Sequence, residues 1–402
     1  MSMRLFEKFK AAETTRALLE ALPVNPTGVV IEEVLSATEA VVGGRHTIMA
    51  GTNNYLGLTF DAAAIAAGQQ ALAKAGTGTT GSRMANGTYR AHLELEAELA
   101  AFYELPHAMV FSTGYAANLG TLVALLGEGD AVLLDAEAHA SLFDGCRMSG
   151  ADIFRFKHND PDGLANRLRR LGERAQNALI VVEGLYSIRG DCAPLREYAA
   201  VKAEYGGYLF VDEAHSLGVY GDRGRGLVES EGILAETDFV VGTFSKSLGS
   251  IGGFCVSRHP ELALFRYASR PYIFTASPCP SVIATTREAL RRIAEQPQLR
   301  DQLWRNARCL YTALAGLGLR LGPHVSPVIG ISFAERDVAL RCWQGLLEAG
   351  VYTNLILPPA APDGGSLIRV SVTAAHTEAQ IERIISSFEN VVRQHAAGGC
   401  TV

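Results

Sequence analysis

Between residues 107 and 257 the chain alternates short apolar runs with spacers that are mostly of helix length, and this constrains its fold more than any other feature. The runs fall at 107–113, 131–135, 152–156, 179–183, 208–212, 239–243 and 253–257. They are too short for helices and rich in β-branched and aromatic residues, so each reads as a strand. Parallel strands need crossovers of a dozen or more residues, which most of the spacers supply. The expected fold class is therefore α/β, with a large domain built on a mostly parallel seven-stranded sheet.

The flanks read differently. Residues 1–60 suggest an arm, with a helix over 5–22, a Pro-Gly break at 23–28 and short strands at 30–39 and 47–49. Residues 61–285 form the expected large domain, which opens on a helix over 62–74. Residues 286–402 suggest a smaller α+β domain. A long helical region (281–317) leads into it, and strands at 328–333, 351–357 and 367–372 precede a last helix over 377–395.

In open α/β sheets, ligands bind beyond the carboxyl ends of the strands. The run 208–212 ends on Asp212, with His215 three residues on, and the run 239–243 ends on Thr243, followed by Ser245 and Lys246. A lone lysine after a strand is ordinarily a solvated cation. A lysine and an aspartate at two strand ends are what pyridoxal 5'-phosphate (PLP) requires. The amine holds the cofactor as a Schiff base, and the carboxylate keeps the pyridine nitrogen protonated so that the ring accepts carbanion electrons. Ser112, Gly114 and Tyr115 form a strand-turn-helix start, where free N–H groups and the helix dipole favour a phosphate. Thr243 and Ser245 add hydroxyl donors. His139, after another strand end, is placed to stack on the ring and hand on a proton. Arg369, in the alternating segment 366–372, can clamp a carboxylate through two parallel hydrogen bonds.

Composition excludes several other classes. With 402 residues, 48% hydrophobic and 19% charged, the chain is an ordinary globular protein. A net charge of −6 and the lack of a basic stripe argue against nucleic-acid binding. The seven cysteines form no C-x-x-C pair, which disfavours a metal site and a disulfide framework alike and suits a reducing cytoplasm. The first residues have mixed charge and no apolar core, unlike a signal peptide. No run approaches the length of a membrane span, so a lipidic substrate or product would be met at a membrane surface or as a soluble thioester. Gly76-Thr-Gly78-Thr-Thr-Gly81 spells the dinucleotide fingerprint. An Ala-rich helical stretch precedes it instead of a strand, so it reads as a turn.

Several stretches together resemble the α-oxoamine synthases, PLP enzymes of fold type I. They are Gly51-Thr-Asn-Asn-Tyr-Leu-Gly, Gly81-Ser-Arg-Met-Ala-Asn-Gly-Thr, Phe111-Ser-Thr-Gly-Tyr-Ala-Ala-Asn-Leu-Gly, Val241-Gly-Thr-Phe-Ser-Lys-Ser and Arg270-Pro-Tyr-Ile-Phe-Thr-Ala-Ser. The last is typical of the branch that condenses L-serine with palmitoyl-CoA to 3-ketodihydrosphingosine, CoA and CO2. The resemblance implies that Lys246 carries the cofactor, Asp212 pairs with the pyridinium, His215 bonds the ring hydroxyl and His139 stacks on the ring. It places Gly114, Tyr115, Thr243 and Ser245 around the phosphate, Asn54 near the incoming substrate and Arg369 at its carboxylate. It also implies a homodimer with shared sites, in which Thr275 and Ser277 reach the partner's phosphate. The partners expected are an amino acid and an acyl-CoA, with peripheral membrane contact for a lipid product. Members of this branch carry an arginine before a Pro-Pro-Ala-Thr-Pro loop. Here Leu357 replaces the arginine and Ala361 the threonine. Outside this branch the resemblance admits other synthases of the family. Outside the family, an aldolase or aminotransferase on the same fold, a dehydrogenase or a non-catalytic relative are the rivals.

Overall fold

The computed structural model describes residues 4–358, 361 and 364–397. Its centre is a seven-stranded sheet in the order His107–Phe111, Gly253–Ser257, Phe239–Thr243, Tyr208–Asp212, Leu179–Glu183, Ala131–Asp135, Asp152–Phe156. Gly253–Ser257 runs antiparallel to both its neighbours and every other pairing is parallel. Strands such as Leu179–Glu183 (LIVVE) and Phe239–Thr243 (FVVGT) are buried along their whole length, because helices cover both faces of the sheet. The α/β class and the mostly parallel sheet agree with the sequence reading.

The register of this sheet builds the site. Glu183 pairs with Asp212, and Asp212 with Val241. Side chains paired across neighbouring strands share a face, so two carboxylates stand side by side at the carboxyl end of the sheet. The first strand ends at Phe111, two residues earlier than expected. Thr113 instead leaves the ladder and caps the helix Gly114–Leu125, its side chain accepting from the Ala116 amide at 2.9 Å.

Two smaller sheets complete the fold. One joins Ile31–Val34, Glu39–Val42 and Arg45–Met49 to Val351–Tyr352; the other orders Arg320–Leu321, Val328–Phe333, Ser366–Ser371 and Asn354–Ile356. The expected strand 351–357 is thus two strands in two sheets, the first paired parallel with Arg45–Met49. The expected helical region 281–317 is likewise two helices, Pro280–Glu295 and Gln298–Gly316, because Pro297 cannot continue the first. The amino-terminal helix divides into Arg4–Glu7 and Lys10–Glu20. Gly76 ends the helix Ala62–Ala75 with φ 81°, so the G-x-G-x-x-G run follows a helix, as its context suggested.

Candidate active site

At the carboxyl ends of the central strands lies a cavity of about 300 Å3. Lys246, Asp212, His215 and His139 line it together, with Gly114, Tyr115, Thr243 and Ser245. Asp212 is 4% exposed; its Oδ1 accepts from the Ala214 amide at 2.8 Å and its Oδ2 from Asn118 Nδ2 at 2.6 Å. Lys246 lies three residues past the end of Phe239–Thr243, in the loop that follows it. Burial lowers its amine to about 8, against the upward pull of the Asp212 and Glu183 carboxylates. The shift enlarges the neutral fraction of this amine near neutral pH relative to that of a surface lysine.

His215 is buried, with Nδ1 2.7 Å from the Tyr55 hydroxyl. Burial, then the charges of Lys246, Arg369 and His139, hold it well below the usual histidine range, so it is neutral. Burial raises Tyr55 to about 12, partly offset by Arg369, so its hydroxyl keeps its proton. His139 is exposed on one side in the single chain, yet the partial desolvation of its ring lowers its pKa, with Lys246 adding to this and Asp212 opposing. Thr243 Oγ1 and Ser245 Oγ are 2.9 Å apart. A Cβ on Gly114 would lie 2.7 Å from Thr243 Cβ, so only glycine lets the helix start approach this strand end so closely.

Other expected residues lie outside the cavity lining. Ser112 precedes the cap residue Thr113, which itself lines the cavity. Arg369, 9% exposed, turns its guanidinium to Asn53 Oδ1 and to Ser371 Oγ, the latter at 3.2 Å. Its charge nevertheless acts on Lys246, His215 and Tyr55. Asn54 donates to Thr59 Oγ1 at 2.7 Å, and its Oδ1 is buried without a partner among the described residues. Thr275 is exposed, and Ser277 Oγ lies 2.6 Å from the Gly87 carbonyl oxygen within its own chain. Leu357 is part-buried and Ala361 buried, the Ala361 amide donating to Leu357 O at 3.2 Å; residues 359–360 and 362–363 of that loop, and Cys400, lie outside the described residues.

Sequence reasoning missed Glu183, Asn118 and Tyr55. Glu183 lines the cavity and its Oε1 accepts from the His139 amide at 2.7 Å. Burial and the neighbouring Asp212 push its carboxyl well above the usual range, partly offset by Lys246. Its signal was its place at the end of an apolar run. A larger groove of about 1080 Å3 between the helices Ala62–Ala75, Arg90–Tyr103 and Pro280–Glu295 shares no residue with this cavity, and its chief charged cluster is Arg287 paired with Glu94 and Glu98.

The aminotransferase class I and II family matches residues 45–388. A serine palmitoyltransferase of Caulobacter vibrioides is 55% identical over 389 residues, covering 97% of this chain and 96% of that protein. The chain belongs to the PLP-dependent α-oxoamine synthases. Among solved structures, the Sphingomonas wittichii serine palmitoyltransferase has a TM-score of 0.95 at 47% identity, covering 98% of this chain and 99% of that one. A serine palmitoyltransferase carrying PLP as its internal aldimine also has a TM-score of 0.95, at 46% identity, covering 98% of this chain and 99% of that one.

The residues of this synthase fit the cofactor. The helix start at Gly114, stripped of side-chain bulk and adjoined by the Thr243 and Ser245 hydroxyls, suits a phosphate ester. Asp212, oriented by two hydrogen bonds, suits a protonated ring nitrogen. The Lys246 amine lines the same cavity, whose volume stands at the lower end of the range for small-molecule sites.

Proposed function

We propose that this synthase joins L-serine to palmitoyl-CoA, releasing CoA and CO2 and giving 3-ketodihydrosphingosine, the first step of sphingolipid formation. The observation that carries this reading is one cavity combining a lysine of lowered pKa, a fixed buried aspartate and a neutral buried histidine, in a chain 55% identical to a serine palmitoyltransferase. PLP, when bound, supplies the electron sink that stabilises negative charge at the Cα of the amino acid.

The protein's own groups do the rest. Lys246 holds the cofactor and, with its amine near 8, takes the proton from Cα. Asp212 would keep a proton on the ring nitrogen of the bound cofactor. His215, braced by Tyr55, would bond its ring hydroxyl. His139 would pack on the ring and donate toward the substrate carboxylate or the thioester oxygen. The helix start at Gly114 and Tyr115, with Thr243 and Ser245, would hold the phosphate. Arg369 swings from Asn53 to clamp the serine carboxylate, and Asn54 stands near the entering substrate. A bond forms between Cα and the acyl carbonyl carbon and the C–S bond breaks with CoA leaving as the thiolate; the bond from Cα to the carboxylate carbon then breaks, CO2 departs, and Cα takes back the proton held by Lys246.

The active form in this reading is a cytoplasmic homodimer with Thr275 and Ser277 completing the partner's site. Among the described residues no helix is long and apolar enough to cross a membrane, so the long acyl chain is taken from a soluble thioester and the product is passed to a membrane surface. Product masses from a matrix of serine, glycine and alanine against short and long acyl-CoAs test the substrate pair. The expected result is 3-ketodihydrosphingosine from serine and palmitoyl-CoA. Much faster turnover of glycine or alanine with a short acyl-CoA would assign the chain to another member of the family.

A further inference from the structure

A continuous run of hydrogen bonds ties together two residues that the proposed chemistry uses separately. Asn118, 3% exposed, lies in the second turn of the helix Gly114–Leu125. Its Nδ2 is 2.6 Å from Asp212 Oδ2 and 2.9 Å from Ser141 Oγ. Ser141, wholly buried at the start of the helix Ala140–Ser149, has its hydroxyl 2.7 Å from His139 Nδ1. The Ser141 amide donates to the same nitrogen at 3.2 Å, so that the imidazole serves as the cap of the helix.

The protons in this run have one consistent arrangement. A carboxylate only accepts, so the end of Asn118 facing Asp212 is its NH2, and that group gives its second hydrogen to Ser141 Oγ. The Ser141 N–H is directed at His139 Nδ1, so that nitrogen accepts and carries no proton. The Ser141 hydroxyl, 2.7 Å away, then donates to it while accepting from Asn118, and a neutral imidazole carries its proton on Nε2. The other groups around the ring are the Asp212 and Asp144 carboxylates, which favour protonation, and Lys246, which opposes it. Glu183 holds the His139 main-chain amide.

We infer that Asn118 is a positioning residue which, acting through Ser141, fixes His139 as the Nε2–H tautomer while the other hydrogen of the same amide aims the Asp212 carboxylate. The lowered pKa of His139 agrees with a ring kept neutral. The tautomer is a property of the chain alone. Its use, as a donor to the substrate, rests on the proposed function.

The test is solid-state 15N spectroscopy of histidine-labelled holoprotein across pH, with the His139 signal assigned by its loss in His139→Gln. The wild type is expected to carry the proton on Nε2 at pH 7.5. Asn118→Ala is expected to raise the protonation midpoint of His139 by about one pH unit, about tenfold in proton affinity, because a donor that opposes charge on Nδ1 is no longer held in place. Ser141→Ala should raise it at least as far, and the double variant by less than the sum of the two, since Asn118 meets the imidazole through Ser141 and otherwise bears on it only through the charge of Asp212. A proton on Nδ1 in the wild type overturns the inference. So does an unchanged midpoint in Asn118→Ala, or shifts that add in the double variant. If Asn118→Ala does not fold, the wild-type tautomer and the Ser141→Ala midpoint still decide. If the wild type fails to retain PLP, the proposed function fails instead, and the same spectra of the ligand-free protein judge the tautomer.

Discussion

At the scale of single residues, the amine of Lys246 makes a direct prediction. Burial lowers it to about 8 from an ordinary value of 10.5, so its neutral, nucleophilic form grows in as pH rises through about 8. The rate of PLP attachment to ligand-free protein, trapped with borohydride and mapped to the Lys246 peptide, should therefore reach half its maximum near pH 8. A midpoint near 10, or an adduct on another peptide, would contradict the assignment. Substitution at the carboxylate clamp is the second test. In the proposed function, with Leu357 in place of an arginine, Arg369 alone holds the serine carboxylate, and one charge-assisted contact is worth about 1.5–3 kcal/mol. Arg369→Ala should weaken serine binding by roughly 10- to 150-fold, read from the spectral change on titration, and Leu357→Arg should tighten it. Unchanged binding in Arg369→Ala would remove that role. Lys246, Asp212, His215 and His139 were legible in the sequence because each follows an apolar run whose end is a binding position in this class of sheet. Tyr55 and Asn118 were not. They reach the site from a loop 160 residues from His215 and from a helix face 94 residues from Asp212, distances that no local pattern encodes.

At the scale of elements, His158 links pieces that the sheet alone does not join. It follows the edge strand Asp152–Phe156, with Nδ1 2.8 Å from Asp135 Oδ1 and Nε2 2.7 Å from Asp191 Oδ2. Burial alone would lower its pKa, but hydrogen bonds to Asp135 and Asp191 outweigh this and raise it to about 10. The loop it holds runs through Gly190, at φ 74°, where a Cβ would lie 1.8 Å from the Val328 carbonyl oxygen, so the main chain touches the carboxy-terminal sheet directly. Replacing one partner of such a largely buried cluster leaves uncompensated carboxylates, and His158→Leu should cost about 3–5 kcal/mol in denaturant unfolding. Because the folded pKa lies above the unfolded one, the wild-type contribution is complete below about pH 6.5 and is lost as pH rises through about 10. The gap between wild type and variant should narrow over that range. A gap that does not change with pH would assign the loss to packing. Element boundaries were readable where a residue acts locally, as at Pro297. The split of 351–357 between two sheets was not, because it depends on pairing Val351 with Ile48, three hundred residues away in sequence.

At the scale of the whole molecule, the single chain leaves its cavity with an apolar rim. Ile251 and Tyr115 line the cavity yet are 52% and 45% exposed. An enzyme that stabilises a carbanion needs water excluded from the reacting carbon, and apolar side chains this open call for a cover. A second subunit provides one in the proposed homodimer, bringing its Thr275 and Ser277 to a cavity that neither residue lines in its own chain. Sedimentation should show a dimer at assay concentration. Mixing inactive Lys246→Ala with an inactive Thr275→Ala/Ser277→Ala variant, followed by subunit exchange, should then restore activity. Random reassortment makes half of the dimers mixed, and each mixed dimer carries one intact site of two, so recovery should approach about a quarter of the wild-type rate. Sites built from one chain alone would give no recovery, because every Lys246 would then sit with the hydroxyl residues of its own subunit. An active monomer would likewise end the case for shared sites, while leaving the chemistry at Lys246 and Asp212 in place.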